Sequence, residues 1–284
     1  GDLMPNILDP FNNLNLPRTL AVAVSGGADS MALLLMADDY ARAQKNKVVA
    51  LTVDHGLRTE SKNEAAQVAA WCAARGIEHH VLSLPPLRGE VRRGGKTGST
   101  EQVSPPTPAL PLKGGGKMTQ DAARNLRYEL LTDWCKKNRV DTLLTAHHLG
   151  DQAETLFFRL ARGSGIFGLA CMQAVSDCRG IRLIRPLLDV SKAELIRFLQ
   201  AQNQPWIEDE SNQNLAYTRN ALRAELKALP NAEAIERRAG ALAAAFARIR
   251  AALEEKTRTA FAQTAQLRGE MAVLDAAGFA SLPP

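Results

Sequence analysis

Leu20-Ala21-Val22-Ala23-Val24-Ser25-Gly26-Gly27-Ala28-Asp29-Ser30 is the stretch that decides the fold of this chain. A short apolar run ends abruptly at Ser25-Gly26-Gly27, and a helical pattern follows from Asp29 to Arg42. Two glycines let a backbone come close to a phosphate and adopt positive φ. The helix start offers free N–H groups at the positive end of its dipole, and Ser25 and Ser30 can donate hydroxyls. An aspartate inside an anion site calls for a cation, so Asp29 predicts Mg²⁺ bridging to pyrophosphate. The plainer reading is a tight strand-to-helix turn in which Asp29 and Ser30 act as caps. The run Asp29-Ser30 after two glycines weighs against it.

Outward from this stretch, apolar runs and helical patterns alternate. Val48 to Val53 is a second strand, ending at Asp54-His55-Gly56, and Glu60 to Arg75 is a helix stopped at Gly76. Ile77 to Leu84 reads as a third strand, Thr119 to Lys137 as a helix, Thr142 to Ala146 as a strand, and Gln152 to Arg162 as a helix stopped by Gly163. This alternation predicts an α/β fold: a parallel sheet covered by helices on both faces. Ligands of such sheets lie at the carboxyl ends of the strands, which is where the polar motifs fall.

Composition narrows the function less than the motifs do. The chain has 284 residues, enough for one large α/β domain and a smaller appendage. Cys72, Cys135, Cys171 and Cys178 have neither metal-ligand spacing nor a disulfide framework, which points to a reduced, cytoplasmic setting. No run approaches the roughly 18 apolar residues of a membrane span, and no signal-peptide pattern opens the chain. The net charge of +5 is concentrated: residues 88 to 117 hold six basic side chains against Glu90 and Glu101. Overall basicity is therefore weak support for an RNA partner. Residues 87 to 117, rich in Gly, Pro, Ser, Thr and Lys, read as a mobile insertion. Its Gly94-Gly95-Lys96-Thr97 and Gly116-Lys117 mimic a P-loop but lack the leading glycine, since Glu90 and Pro111 stand there.

Beyond a short helix at Ser191 to Gln202, the chain turns polar through Pro205-Trp206 to Asn214. Thr218 to Leu229 starts another helix, Pro230 breaks it, and Ala232 to about Gln266 is long, Ala-rich and helical. We expect a catalytic domain over 1–217 and a smaller helical C-terminal region over 218–284. The end at Ser281-Leu282-Pro283-Pro284, little more than one element later, is compatible with truncation. The long helix reads first as an amphipathic packing helix with a solvated basic face, and second as a contact for an RNA stem.

SGGxDS after the first strand resembles the PP-loop ATP pyrophosphatase family, whose members release pyrophosphate and leave an adenylyl group on the substrate. Further stretches, in order, are similar to the tRNA(Ile)-lysidine synthetase family over residues 18 to 225. They are Val53-Asp54-His55-Gly56-Leu57-Arg58, His147-His148-Leu149-Gly150-Asp151-Gln152-Ala153-Glu154-Thr155, Arg159 to Gly165, Arg185-Pro186-Leu187-Leu188 and Tyr217-Thr218-Arg219-Asn220. The resemblance implies a Rossmann-like sheet of the adenine nucleotide α hydrolase-like kind. It also implies a reaction. ATP adenylates the 2-carbonyl oxygen of the wobble cytidine in the CAU anticodon of tRNA(Ile), and the ε-amine of free L-lysine then displaces AMP to form lysidine.

Residue roles follow from the same resemblance, joined to the chemistry of each side chain. Ser25, Gly26, Gly27, Ala28, Asp29 and Ser30 form the phosphate loop, with Asp29 and Asp151 as candidates for metal or for orienting the nucleotide. Asp151 and Glu154, three apart on one helical face, are placed to grip the lysine ammonium or accept its proton. Solvated acids at a helix start are the alternative. Arg124 and Arg127 share a helical face and resemble a family motif that contacts nucleotide and tRNA; Arg219 and Arg223 are assigned to phosphate. Asp54 and His55 belong beside the adenosine, His147 beside the nucleotide, and Gly163 to the nucleotide site. His147 and His148 are as readily structural as ligand-binding, and His79-His80 are taken as structural. The family usually has a second acid where Gly150 stands, so that acid's role is absent here or supplied elsewhere.

Two other readings stay open. A PP-loop tRNA thiolase needs an activated cysteine; Cys171 falls in a stretch assigned to packing, and Cys72 and Cys135 look like core. A non-catalytic nucleotide sensor would need neither a proton acceptor nor so many arginine clamps.

Overall fold

A computed structural model describes residues 9–11, 14–54, 59–83, 120–208, 222, 224–226, 228–268 and 271–280. The 87–117 insertion, His55, Arg219 and Arg223 lie outside the described residues, as does the expected boundary at 217/218.

Apolar side chains on both sides of the central strands create two buried faces, and helices must cover both. The strands are β1 (Thr19–Ala23), β2 (Lys47–Asp54), β3 (Glu78–Ser83), β4 (Thr142–Leu144), β5 (Val175–Cys178) and β6 (Ile181–Ile184). They form one sheet in the order β3-β2-β1-β4-β6-β5, with all pairings parallel except β5 with β6. Leu20, Val22 and Val24 join one core with α1 (Ala28–Gln44), α2 (Thr59–Arg75) and α6 (Lys192–Ala201). Ala21 and Ala23, facing the other way, join a second core with Leu131 and Cys135 of α3 (Gln120–Lys137). The expected α/β sheet with helices on both faces is therefore present. One edge pairing, β5 with β6, is antiparallel in this otherwise parallel sheet. Val175 and Ser176 alternate with little apolar content, so no periodicity announced this strand.

The strand order reverses between β1 and β4. From β1 the chain runs through α1 to β2 on one side, and from β3 through α3 to β4 on the other. A crevice opens at the carboxyl ends of strands that part in this way.

Two helices, α4 (Leu149–Ala161) and α5 (Ile166–Leu169), follow β4 and carry a third apolar cluster. Against them packs the long α7 (Ala232–Thr264), through the buried Ala239 and Ala243. Gly240 lies at the closest approach, where a Cβ would collide with Leu149 Cδ1. After α7 come a hairpin, β7 (Ala265–Arg268) with β8 (Met271–Leu274), and α8 (Ala276–Ala280). The C-terminal region is thus mainly but not wholly helical, with a hairpin and a short helix after α7.

Candidate active site

The loop between β1 and α1 is held by its own side chains. Ser30 Oγ donates to Gly27 O at 3.0 Å and accepts from Ser25 N–H at 3.1 Å, and the two serine hydroxyls lie 3.2 Å apart. Gly26 has φ +89°, a conformation that favours glycine. A Cβ there would stand 2.6 Å from Ile207 Cδ1, and Ile207 N–H donates to Gly26 O at 2.9 Å. The segment after α6 therefore straps the loop from behind. No side chain caps α1 at Gly27, so the first-turn amides are offered to a ligand.

This loop forms one wall of a cleft of about 410 Å³ at the switch point. Ser25, Gly27, Asp29 and Ser30 line it from the β1–α1 loop and the first turn of α1, Thr145 and His147 from the end of β4, and Arg124, Arg127 and Tyr128 from α3. Basic side chains thus face a helix N-terminus across the cleft. Arg124 stacks over the Tyr128 ring at 5.4 Å. Burial lowers the pKa of Arg127 from its ordinary value, opposed in part by Tyr128 and reinforced by Arg124. His147 is pushed down to about 4, first by burial, with Asp151 opposing and Arg185, Arg124 and Arg127 adding to the fall. It is a neutral ring at pH 7, hydrogen-bonded to Thr145 Oγ1 at 3.1 Å.

Behind the cleft the acids gather about His148. Its Nδ1 accepts from Gly150 N–H at 3.0 Å, and Asp151 Oδ2 accepts from the His148 N–H at 3.0 Å, a capping box that starts α4. Because Nδ1 is the acceptor, Nε2 carries the proton in the neutral ring. Nε2 lies 3.7 Å from Asp29 Oδ2 and 3.8 Å from Asp151 Oδ2. One buried imidazole so bridges the two carboxylates singled out from the sequence. Asp151 thus caps the start of α4 and faces the same imidazole as Asp29. Lys192 Nζ also bonds Asp29 Oδ2, at 3.1 Å, while Asp29 Oδ1 is buried without a hydrogen-bond partner among the described residues.

Other residues fall elsewhere. Glu154 lies one turn beyond Asp151 on α4, half-buried and outside the cleft lining. Asp54 is buried at the end of β2, also outside it. Ala28 is a buried first residue of α1. Gly163, φ +67°, reverses the chain at the far end of α4 from Asp151 and is not brought to the cleft. His79 and His80 hydrogen-bond Thr52 and Glu78, in keeping with a structural role. Lys192 was missed from the sequence. A lysine opening a helix, against the dipole, was the available signal.

An orphaned Asp29 oxygen beside a phosphate-type loop fits a hard divalent cation. No group of three or more His, Cys, Asp or Glu among the described residues is arranged to hold a metal unaided. That pattern suits Mg²⁺, which takes one or two carboxylates and completes its shell with water and phosphate.

Residues 3–229 match the PP-loop domain family. A tRNA(Ile)-lysidine synthase of Ruegeria pomeroyi is 40% identical over 268 residues, covering 94% of this chain and 58% of that protein. Another, from a Bradyrhizobium species, is 36% identical over 275 residues, 93% of this chain and 70% of that protein. The chain thus spans little more than half the length of the Ruegeria relative. Among solved structures, the U34-tRNA thiolase NcsA of Methanococcus maripaludis with its 4Fe–4S cluster superposes with a TM-score of 0.58 at 15% identity. The match covers 78% of this chain and 70% of that one, a likeness of fold.

Proposed function

We propose, on the premise that this chain belongs to the PP-loop domain family and within it to the tRNA(Ile)-lysidine synthases, that it joins lysine to the wobble cytidine of tRNA(Ile) at the expense of ATP. The observation that carries the reading is the convergence of the Ser25–Ser30 loop, Arg124, Arg127 and His147 on one switch-point cleft.

In this reading the loop amides and the serine hydroxyls hold the β- and γ-phosphates, and the cleft aligns the α-phosphorus with the cytidine O2. Arg124 and Arg127 balance the charge that builds on the phosphates as pyrophosphate leaves, and Arg219 is assigned to the same work. Asp29, with Asp151 close behind, would hold Mg²⁺, which when bound neutralises phosphate charge. His147, neutral at pH 7, orients the nucleotide by hydrogen bonding without adding charge. In the second half-reaction Asp151 and Glu154 receive the lysine ammonium and take its proton. The freed amine then attacks C2 of the adenylated cytidine and AMP departs. The cytoplasm is the proposed setting.

A thiolase reading is less well supported. Burial pushes the Cys72 thiol up to about 11 and the Cys135 thiol up to about 12, and it raises the Cys171 thiol, so these are not thiolates at neutral pH.

The test is ATP-dependent incorporation of labelled lysine into a tRNA(Ile) transcript with a CAU anticodon, beside the same transcript carrying uridine at the wobble position. Label in the first alone, lost in Asp29→Ala, is the expected result. Pyrophosphate release without label would retain the adenylation step and reject lysine as nucleophile.

A further inference from the structure

Glu236 stands on the packing face of α7, a place where a carboxylate needs a reason. It lies one helical turn before Gly240 and three residues before Ala239, both buried in the contact with α4. Half-buried itself, it reaches the opening turn of α4. A Cβ built on Gly150 would lie 3.3 Å from Glu236 Oε1, 2.8 Å from His148 Cε1 and 3.1 Å from His148 Nδ1. The lack of a side chain at Gly150 thus makes room for two groups at once, the capping imidazole and an acid from the C-terminal region. Arg237, the next residue, ties this turn of α7 to Glu194 of α6 at 3.3 Å. An acid beside a helix N-terminus has a plain electrostatic reason, the positive end of the dipole. Here that end is already served, because His148 and Asp151 complete a capping box on α4.

Glu236 therefore brings a further carboxylate to the turn where Asp29 and Asp151 flank His148 Nε2, directly behind the cleft-lining His147. We infer that Glu236 is a specificity-determining residue that binds the α-ammonium of the incoming lysine. The inference rests on the reading given above, in which Asp151 and Glu154 receive the ε-ammonium. Lysine carries an ammonium at each end of its side chain, and one acid set cannot serve both. The ε-nitrogen gives up its proton and reaches the cytidine, whereas the α-nitrogen stays charged and stays in place. A carboxylate on a separate, firmly packed helix suits the stationary group through a charge-assisted hydrogen bond. On this assignment α7 selects the nucleophile, while the sheet and its loops activate ATP.

The experiment uses the full chain with ATP, the tRNA(Ile) transcript carrying a CAU anticodon, and two amines. One is lysine, the other 6-aminohexanoate, which is lysine without its α-amine. The readout is the ratio of kcat/KM for lysine to that for 6-aminohexanoate. Glu236→Gln should lower this ratio by about tenfold or more, the loss of one hydrogen bond to a charged group, with the KM for ATP held within about twofold. Glu236→Asp, which keeps the charge, should retain most of the preference for lysine. Glu236→Ala is the second neutral variant should the glutamine perturb folding. A ratio unchanged in a folded neutral variant, whether or not overall activity falls, overturns the role of Glu236 and leaves Asp151 and Glu154 as assigned. Failure of the unaltered chain to use lysine at all overturns the lysine reading and this inference with it.

Discussion

Replacing Gly26 by alanine should separate backbone strain from collision in the loop that opens the site. Gly26 sits at φ +89°, and a side chain in a left-handed conformation costs about 1–2 kcal/mol. The added Cβ would stand 2.6 Å from Ile207 Cδ1 and 3.1 Å from Val68 Cγ2. Ile207 Cδ1 must leave its present rotamer to make room, and Val68, wholly buried in α2, has little room to give. Forced overpacking of this kind costs about 1–3 kcal/mol. The two effects together predict a loss of about 2–5 kcal/mol in urea unfolding, with the midpoint shifted and the slope unchanged. Repeating the substitution in an Ile207→Ala background removes the nearer collision. There Gly26→Ala should cost at least about 1 kcal/mol less, as a coupling energy between touching residues. Equal costs in the two backgrounds would refute the steric argument, and a cost below about 0.5 kcal/mol in the unaltered background would refute the strain argument as well.

Three further outcomes follow from particular contacts. Folded His147 resists protonation down to about pH 4, whereas the unfolded ring takes its proton near the ordinary value of 6.5. The unfolded state therefore binds more protons between these values, and stability should fall as pH drops from about 6.5 towards 4, by on the order of 3 kcal/mol in all. His147→Gln should flatten that part of a stability–pH curve. Cys171→Ala should leave lysine incorporation within about twofold, since a buried thiol with a raised pKa is no nucleophile; complete loss would favour sulfur transfer. Gly240→Val should drive a side chain into Leu149, cost about 1–3 kcal/mol in unfolding and raise hydrogen exchange along α4 and α7.

The parts of this molecule that could be read from its sequence are those whose physics is local. The apolar run before Ser25 and the helical pattern after Ser30 sit where β1, the loop and α1 stand, because strand burial and helix periodicity are fixed within a few residues. The start of α4 was placed later than it is. Its cap is His148, an unusual residue for that position, acting through Nδ1, so no ordinary capping signal marks Leu149. Strand β5 has no repeating apolar pattern, and in β6 the alternation of Ile181 and Leu183 about Arg182 spans only four residues; their pairing is set by the edge they complete. The C-terminal hairpin did carry a signal, the two residues Gly269-Glu270 between runs that pair. The site divides in the same way. Ser25 to Ser30 is one continuous segment, and its chemistry is visible in it. The electrostatics of Asp29, by contrast, are decided by His148 and Lys192, which the later crossovers of the chain bring to the N-terminus of α1. Sequence therefore identifies the carboxylate, while only the fold shows which groups hold it, and one of these, Lys192, is a cation opening its own helix against the dipole.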